Sequence, residues 1–419
     1  MAEPTISLDD FLAEAATFLD GHAQLRQADK RFKWGEGEEE LGMFEETDRE
    51  TEKADIAKAK EWRATRYDAG FGWVAGPTEL GGRGLPAAYA RAYDQLEARY
   101  ATPDAGFFGI GLGMVAPTIL AHAQPHVKER YLAKMYRGDL IGCQLFSEPG
   151  AGSDLAGLTM RADRDGDEWI VNGQKVWTSG AHYSDIGEVI CRTDWDLPKH
   201  QGLTGFVVDM KAPGLEVRPL RQMTGGAAFN EVFFNDVRIP DDHRLGDVNQ
   251  GWAVALTTLM NERASIGAGS GSGSGMANGV RFMETMRHFD LADDPVLRDE
   301  FAKVYIGYQV AKFTNQRAVD KIRAGQAPGP EMSITKMALC NNMRATTQFI
   351  SHVLGPRLVA DTGEWGTFSW SQFVLSEPAM HIAGGSDEVL RNIVGERVLG
   401  LPKEPGIDTT SPFRELRTN

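Results

Sequence analysis

Residues 169–177 read WIVNGQKVW. Apolar and polar side chains alternate on both sides of Asn172-Gly173, a dipeptide that accepts positive φ and is a strong type I′ hairpin signal. The stretch predicts two paired strands joined at Asn172-Gly173, in a region whose apolar period is two rather than 3.6. Strand-like runs follow in GFVVDM (205–210), LEVRPL (215–220) and NEVFFNDVRI (230–239). Short strands separated by turns from about Leu140 to Gly246 read as a small antiparallel barrel or sandwich.

Outward from this region the spacing becomes helical. DDFLAEAATFL and AAYARAYDQLEARY place apolar residues three and four apart before Gly138, interrupted by the glycine-rich ELGGRGLP. Long helical patterns return at GWAVALTTLMNERASIG (251–267), DDPVLRDEFAKVYIGYQVAKFTNQRAVDKI (293–322) and EMSITKMALCNNMRATTQFISHVL (331–354), the last stopped by Gly355-Pro356. Four such helices make a bundle. The expected fold is therefore α+β and multidomain: an N-terminal α-helical domain over 1–139, a middle antiparallel β-barrel over 140–246 and a C-terminal four-helix bundle over 247–419. The run GAGSGSGSG, from Gly267 to Gly275, reads equally as a flexible linker or as continued helix with room beside it.

The composition narrows the function classes. With 59 acidic against 44 basic residues and a net charge of -15, the chain lacks the basic surface that a nucleic-acid partner demands. Its three cysteines, Cys143, Cys191 and Cys340, are far apart and show no CxxC spacing, so neither a metal site nor a disulfide framework is expected. The first residues carry acids and no basic stretch before an apolar run, and no run of about 18 apolar residues occurs. A cytoplasmic protein without a membrane span is expected. The acidic stretch from Gly35 to Asp55 reads as a solvated face.

Two longer motifs carry more information. CQLFSEPGAGSDLAGL, from Cys143 to Leu158, and NGQKVWTSGA, from Asn172 to Ala181, resemble the central flavin-binding signature of the acyl-CoA dehydrogenase family. RQMTGGAAFNEVFFNDVRIP (221–240) and GGSDEVLRNIVGERVLGLP (384–402) extend the resemblance over nearly the whole chain, in the same α, β, α order. The resemblance implies FAD as cofactor. It places Phe146 and Ser147 beside the flavin ring, Ser153 at the pyrophosphate, Trp177 flanking the isoalloxazine and Ser179 near its reactive nitrogen. It further implies an acyl-CoA substrate, dehydrogenated to a trans-2-enoyl-CoA, and an electron acceptor such as electron-transferring flavoprotein.

Taking an α proton from a thioester needs a carboxylate in a site that excludes water. In the commonest family pattern that Glu precedes the last helix, where this chain has Gly384. In the branch typified by isovaleryl-CoA dehydrogenase it sits on the first helix of the C-terminal bundle, where this chain has Glu262. Ala255, Leu259, Glu262 and Ile266 fall at i, i+4, i+7 and i+11 and share one helix face, so Glu262 is the expected catalytic base, with desolvation raising its pKa. Arg263 is turned about 100° away. The resemblance implies that the main-chain N–H of Gly384 helps hold the thioester oxygen, a role consistent with its place just before a helix that begins with Asp387 and Glu388.

Two departures from the family pattern bear on assembly. The Arg-Phe-Gly that reaches a neighbour's FAD is absent; VRFMETMRHFDLADDPVLRDEF (280–301) offers Arg281, Arg287 and Arg298 without choosing among them. HVLGPRLVAD (352–361) only partly represents the usual glycine-rich turn. The resemblance implies a homodimer or homotetramer. The departures also admit a half-active subunit of a heterotetramer, and an acyl-CoA oxidase using O2 is a further alternative that the chain length disfavours. A DNA-associated relative on the same fold is disfavoured by the acidic composition.

Overall fold

The computed structural model describes residues 6–26, 33–36, 39, 48–269, 279–323, 329–330, 332–403 and 408–416. The N-terminal part is built from helices α1 (Leu8–His22), α2 (Arg49–Asp68), α3 (Ala87–Glu97), α4 (Ala116–His122) and α5 (Pro125–Arg137). The short strands β1 (Gln24–Leu25) and β2 (Tyr100–Ala101) pair antiparallel. Local chemistry explains the helix ends. Ser7 accepts the Asp10 N–H, Asp48 accepts those of Glu50 and Thr51, and Gly138 closes α5 at φ 93, each satisfying backbone groups that a helix terminus leaves open.

The middle sheet contains β3 (Gly142–Leu145), β4 (Arg161–Asp165), β5 (Glu168–Ser179), β6 (Ile186–Arg192), β7 (Leu203–Asp209), β8 (Leu215–Leu220), β9 (Phe229–Pro240) and β10 (Arg244–Leu245). Its order is β10-β7-β6-β4-β5-β9-β8, with β3 added beside β6. The pairing is antiparallel except that β3 runs parallel to β6 and β4 touches β6 in parallel at Arg161 and Arg192.

The hairpin expected at Asn172-Gly173 is not there. The turn is Gly166-Asp167, between Asp165 and Glu168, which pair across it; Gly166 has φ 62. Asn172-Gly173 lies inside β5 at a register shift against β9. There the Asn172 amide accepts the Asp236 N–H at 2.9 Å and donates to its carboxylate at 2.9 Å, Asp236 standing at φ 51. The positive-φ tolerance of Asn-Gly is thus spent on a bulge, because β5 continues along β9 for 12 residues.

The C-terminal helices are α6 (Gly251–Gly269), α7 (Gly279–His288), α8 (Pro295–Arg323), α9 (Met332–Leu354), α10 (Ser369–Met380) and α11 (Asp387–Ile393). Helix α9 packs against α6, α8, α10 and α11, around a core that includes Phe282, Met343, Phe349, Trp370 and Phe373. Gly267 to Gly269 continue α6 as helix; the remainder of the glycine run lies outside the described residues. Val254 and Ala255 of α6 join Ile119, Ile190 and Val207 in one buried cluster, so α6 is cemented to both the N-terminal helices and the sheet.

Candidate functional site

Beyond β3 the chain runs through Phe146, Ser147 and Glu148 alongside β5. The Val176 N–H donates to the Ser147 carbonyl at 2.9 Å. Lys175 is fully buried, and its ammonium donates to the Phe146 carbonyl and to Glu148 Oε1, both at 2.9 Å. Glu148 also accepts the Thr159 N–H at 2.7 Å, the Thr159 hydroxyl at 3.0 Å and the Met160 N–H at 3.0 Å. Burial works to raise the Glu148 carboxyl, but Lys175 and the amide donors outweigh it and hold the group below the ordinary carboxylate range. Glu148 and Lys175 have no counterpart among the expected site residues. A charged residue at an inward position of an alternating strand was the available signal.

The next residue is Trp177, where β5 slips register against β9 between Lys175 and Thr178. Trp177 adopts φ 60 and is 58% exposed. Positive φ in a bulky residue stores strain, on the order of 1–3 kcal/mol, and an exposed indole forgoes apolar burial. Both costs are offset when a flat group covers the ring. Phe229 stands edge-on to the indole at 5.9 Å, and Ser179 pairs with Phe229 across the strands. The Ser147 carbonyl is thus joined to β5 next to Trp177, and Ser179 lies two residues further along the same strand.

Ser153 is exposed in the loop that leads to Leu158. That loop is tied down from beneath. Lys199 donates to both Asp154 oxygens at 2.8 and 2.9 Å, and Arg192 donates to the carbonyls of Ala156 at 2.6 Å and Leu158 at 3.1 Å. The Arg192 guanidinium lies 3.5 Å from the Phe413 ring centroid, which clips the C-terminal segment onto the sheet; burial pulls its pKa down to about 10. Composition alone gave no hint of this buried arginine.

Glu262 is half-buried on α6. On the same stripe Ala255 and Thr258 are fully buried and Leu259 packs on the core; the side chain of Ile266 lies outside the described residues. Thr258 anchors this face, donating to Glu188 Oε1 at 2.6 Å and meeting the Thr118 hydroxyl at 2.9 Å. Glu188 is a second unforeseen carboxylate. It is completely buried on β6, its other oxygen has no partner among the described residues, and burial pushes its pKa up to about 8 despite the Thr258 bond.

Gly384 and Gly385 stand at φ 64 and 92 between α10 and α11, conformations that favour glycine. Ser386 caps α11, accepting the Val389 N–H. Of the three arginines considered for a partner's cofactor, Arg281 is buried and donates to the Glu39 carbonyl at 2.9 Å, Arg287 pairs with Glu284 at 2.6 Å, and Arg298 is exposed.

The chain belongs to the acyl-CoA dehydrogenase family, whose cofactor is FAD. Models of the family's N-terminal, middle and C-terminal domains match residues 36–139, 143–237 and 249–399. It is 36% identical over 349 residues to acyl-CoA dehydrogenase IpdE1 of Mycobacterium tuberculosis, covering 82% of this chain and 88% of that protein. It is 38% identical over 289 residues to acyl-CoA dehydrogenase FadE34 of the same organism, covering 69% of this chain but only 39% of that longer protein. Among solved structures, the Tcur3481-Tcur3483 steroid ACAD superposes with TM-score 0.72 at 25% identity, covering 96% of this chain and 99% of that one. Among the described residues no helix is long and apolar enough to cross a membrane.

Proposed function

We propose that the chain dehydrogenates an acyl-CoA thioester to the trans-2-enoyl-CoA, with Glu262 taking the α proton. The observation that carries this reading is Glu262, half-buried on the α6 face where Ala255 and Thr258 are buried and Leu259 is partly buried against the core, in a chain whose other family position for the base is Gly384. The Gly384 N–H is the donor to the thioester oxygen, where negative charge grows as the proton leaves. Bound FAD supplies the hydride acceptor for the β carbon. Phe146, Ser147, Trp177 and Ser179 would hold its ring, and Ser153 its pyrophosphate. Glu262 belongs, on this reading, to the branch with the base on the first bundle helix, and the chain divides into domains near residues 139 and 246.

The name of the steroid ACAD neighbour makes ring-bearing acyl groups the first substrates to assay. Electrons leave to an acceptor such as electron-transferring flavoprotein in the cytoplasm. Assembly into a homodimer or homotetramer is supported by α8, where Ile306, Val310 and Phe313 stand 58%, 58% and 67% exposed at i, i+4 and i+7. A second reading, a half-active subunit of a heterotetramer, is favoured by the glycine at position 384. A visible spectrum of the chain purified alone separates the two: bound flavin supports the self-sufficient enzyme, and its absence supports the heteromer. Glu262→Gln tests the base. The variant should keep the yellow cofactor and bind thioester, while reduction by acyl-CoA slows about 10²–10⁴-fold. Near-normal reduction would remove Glu262 from the mechanism.

A further inference from the structure

Below the Gly384 loop lies a group of side chains that the proposed reaction does not use. His381, at the end of α10, is sandwiched between two carboxylates: Nδ1 is 2.7 Å from Asp387 Oδ2, and Nε2 is 2.7 Å from Glu377 Oε1. All three residues are more than nine-tenths buried. Elementary proton counting says what the group holds. A neutral imidazole has one N–H, so with both carboxylates ionised one nitrogen lone pair would face a carboxylate oxygen at 2.7 Å, which is repulsive. The trio therefore carries one proton more than a neutral histidine and two carboxylates, either as imidazolium or as a carboxylic acid donating to the ring. Each short contact is then a charge-assisted hydrogen bond. Burial opposes ionisation of Asp387, yet His381 and the nearby cations outweigh it and hold its carboxyl below the ordinary range.

Cys340 brings a thiol within 4.8 Å of the His381 and Asp387 ligand atoms, a composition that would suit a metal ion. The bonding in place argues otherwise. Both ring nitrogens are occupied by carboxylates, and the thiol donates to the Met380 carbonyl at 3.0 Å.

What the trio does is set by where its members sit. Glu377 is in α10, His381 follows its last residue and Asp387 opens α11; the five residues from Ile382 to Ser386 bridge His381 to Asp387, so the imidazole closes that loop like a staple. The Asp387 N–H donates to the His381 carbonyl at 3.1 Å, and Lys336 of α9 donates to the Gly385 carbonyl at 2.9 Å. The loop is held at both feet and at its crest. In contrast, the Gly384 N–H donates to no backbone carbonyl or side chain among the described residues. Two successive glycines at positive φ are intrinsically mobile; a donor that must meet a developing oxyanion within a few tenths of an ångström needs external bracing.

We infer that His381, bonded to Glu377 and Asp387, is a positioning residue that aims the Gly384 N–H at the thioester oxygen of the substrate. The inference rests on the proposed role of Gly384. It makes the buried trio part of the reaction's electrostatics although none of its atoms touches the substrate. It also accounts for a buried, charged cluster where apolar packing would serve mere stability as well.

The test uses the purified full chain with FAD and a β-aryl-acryloyl-CoA, whose absorbance shifts to the red when its thioester carbonyl is polarised. His381→Gln should retain flavin content and thioester affinity within about threefold, yet lose most of the red shift and about 10–100-fold in kcat, the scale expected of a misplaced group. Full red shift together with undiminished kcat in this variant overturns the role of His381. Should His381→Gln not fold, Glu377→Ala decides, since it releases one side of the staple and leaves the ring. A reduced shift supports positioning, and an unchanged shift refutes it. Failure of the underlying reading looks different: the unaltered chain would itself bind the chromophoric thioester with no red shift, and both claims would fall together.

Discussion

Replacing Lys175 by methionine removes a buried charge while keeping most of the side chain's bulk. The ammonium is completely buried and makes two bonds, to the Phe146 carbonyl and to Glu148. Its loss leaves Glu148 ionised in a site that no longer compensates it. Breaking a buried pair from one side costs about 3–5 kcal/mol. Glu148 keeps three donors, from Thr159 and Met160, which places the expected loss at about 3 kcal/mol. The pH dependence sharpens the prediction. In the native chain Glu148 lies below its ordinary 4.5, so the stability it lends is present above that value and is lost as pH falls through the folded pKa. Without Lys175, burial, the largest influence on Glu148, is opposed only by the Thr159 and Met160 donors, and the carboxyl is expected to rise above its ordinary range. Its contribution is then whole below the unfolded pKa and is lost as pH rises. The deficit of the variant should therefore be largest near neutrality and shrink toward about pH 5. Urea titrations of the two proteins at both pH values measure it, with flavin release as a second readout, because Lys175 also braces the Phe146-Ser147 segment. Adding Glu148→Gln to the variant should recover part of the loss. A deficit under about 1 kcal/mol, or one that is the same at both pH values, would refute this account of the pair.

Two further perturbations test other parts of the structure. Burial raises Glu188 to about 8, so its contribution is complete below the unfolded pKa and drains away as pH climbs through that value. Glu188→Gln, which preserves an acceptor for Thr258, should flatten the decline of stability between about pH 6 and 8.5, by a few kcal/mol at most, in urea titrations; equal slopes in the two proteins would contradict it. On α8, Phe313→Glu places a charge in the exposed stripe with Ile306 and Val310, and sedimentation should show a smaller species than the native chain forms. Identical masses would exclude this face from the interface.

Much of this protein was legible in the order of its residues. The runs that read as β7, β8 and β9 are strands, the patterns that read as α6, α8 and α9 are helices, and Gly355 ends α9 at φ 52. These signals are local: periodicity, caps and turn residues act within a few positions, so they survive in the sequence. The motifs around Phe146 and Trp177 likewise announced the family. Other features required the folded chain. Asn172-Gly173 and Gly166-Asp167 are both competent turns, and only the 12-residue pairing of β5 with β9 made the first a bulge and the second a hairpin. Lys175 meets Glu148 across 27 positions, and Thr258 meets Glu188 across 70. Even the short loop closed by His381 required two helices to be packed before its imidazole could face both carboxylates. Charges buried in this way are invisible to pattern because their stability depends on partners supplied by other elements. Register, bulges and helix packing choose those partners, and these are settled only in three dimensions.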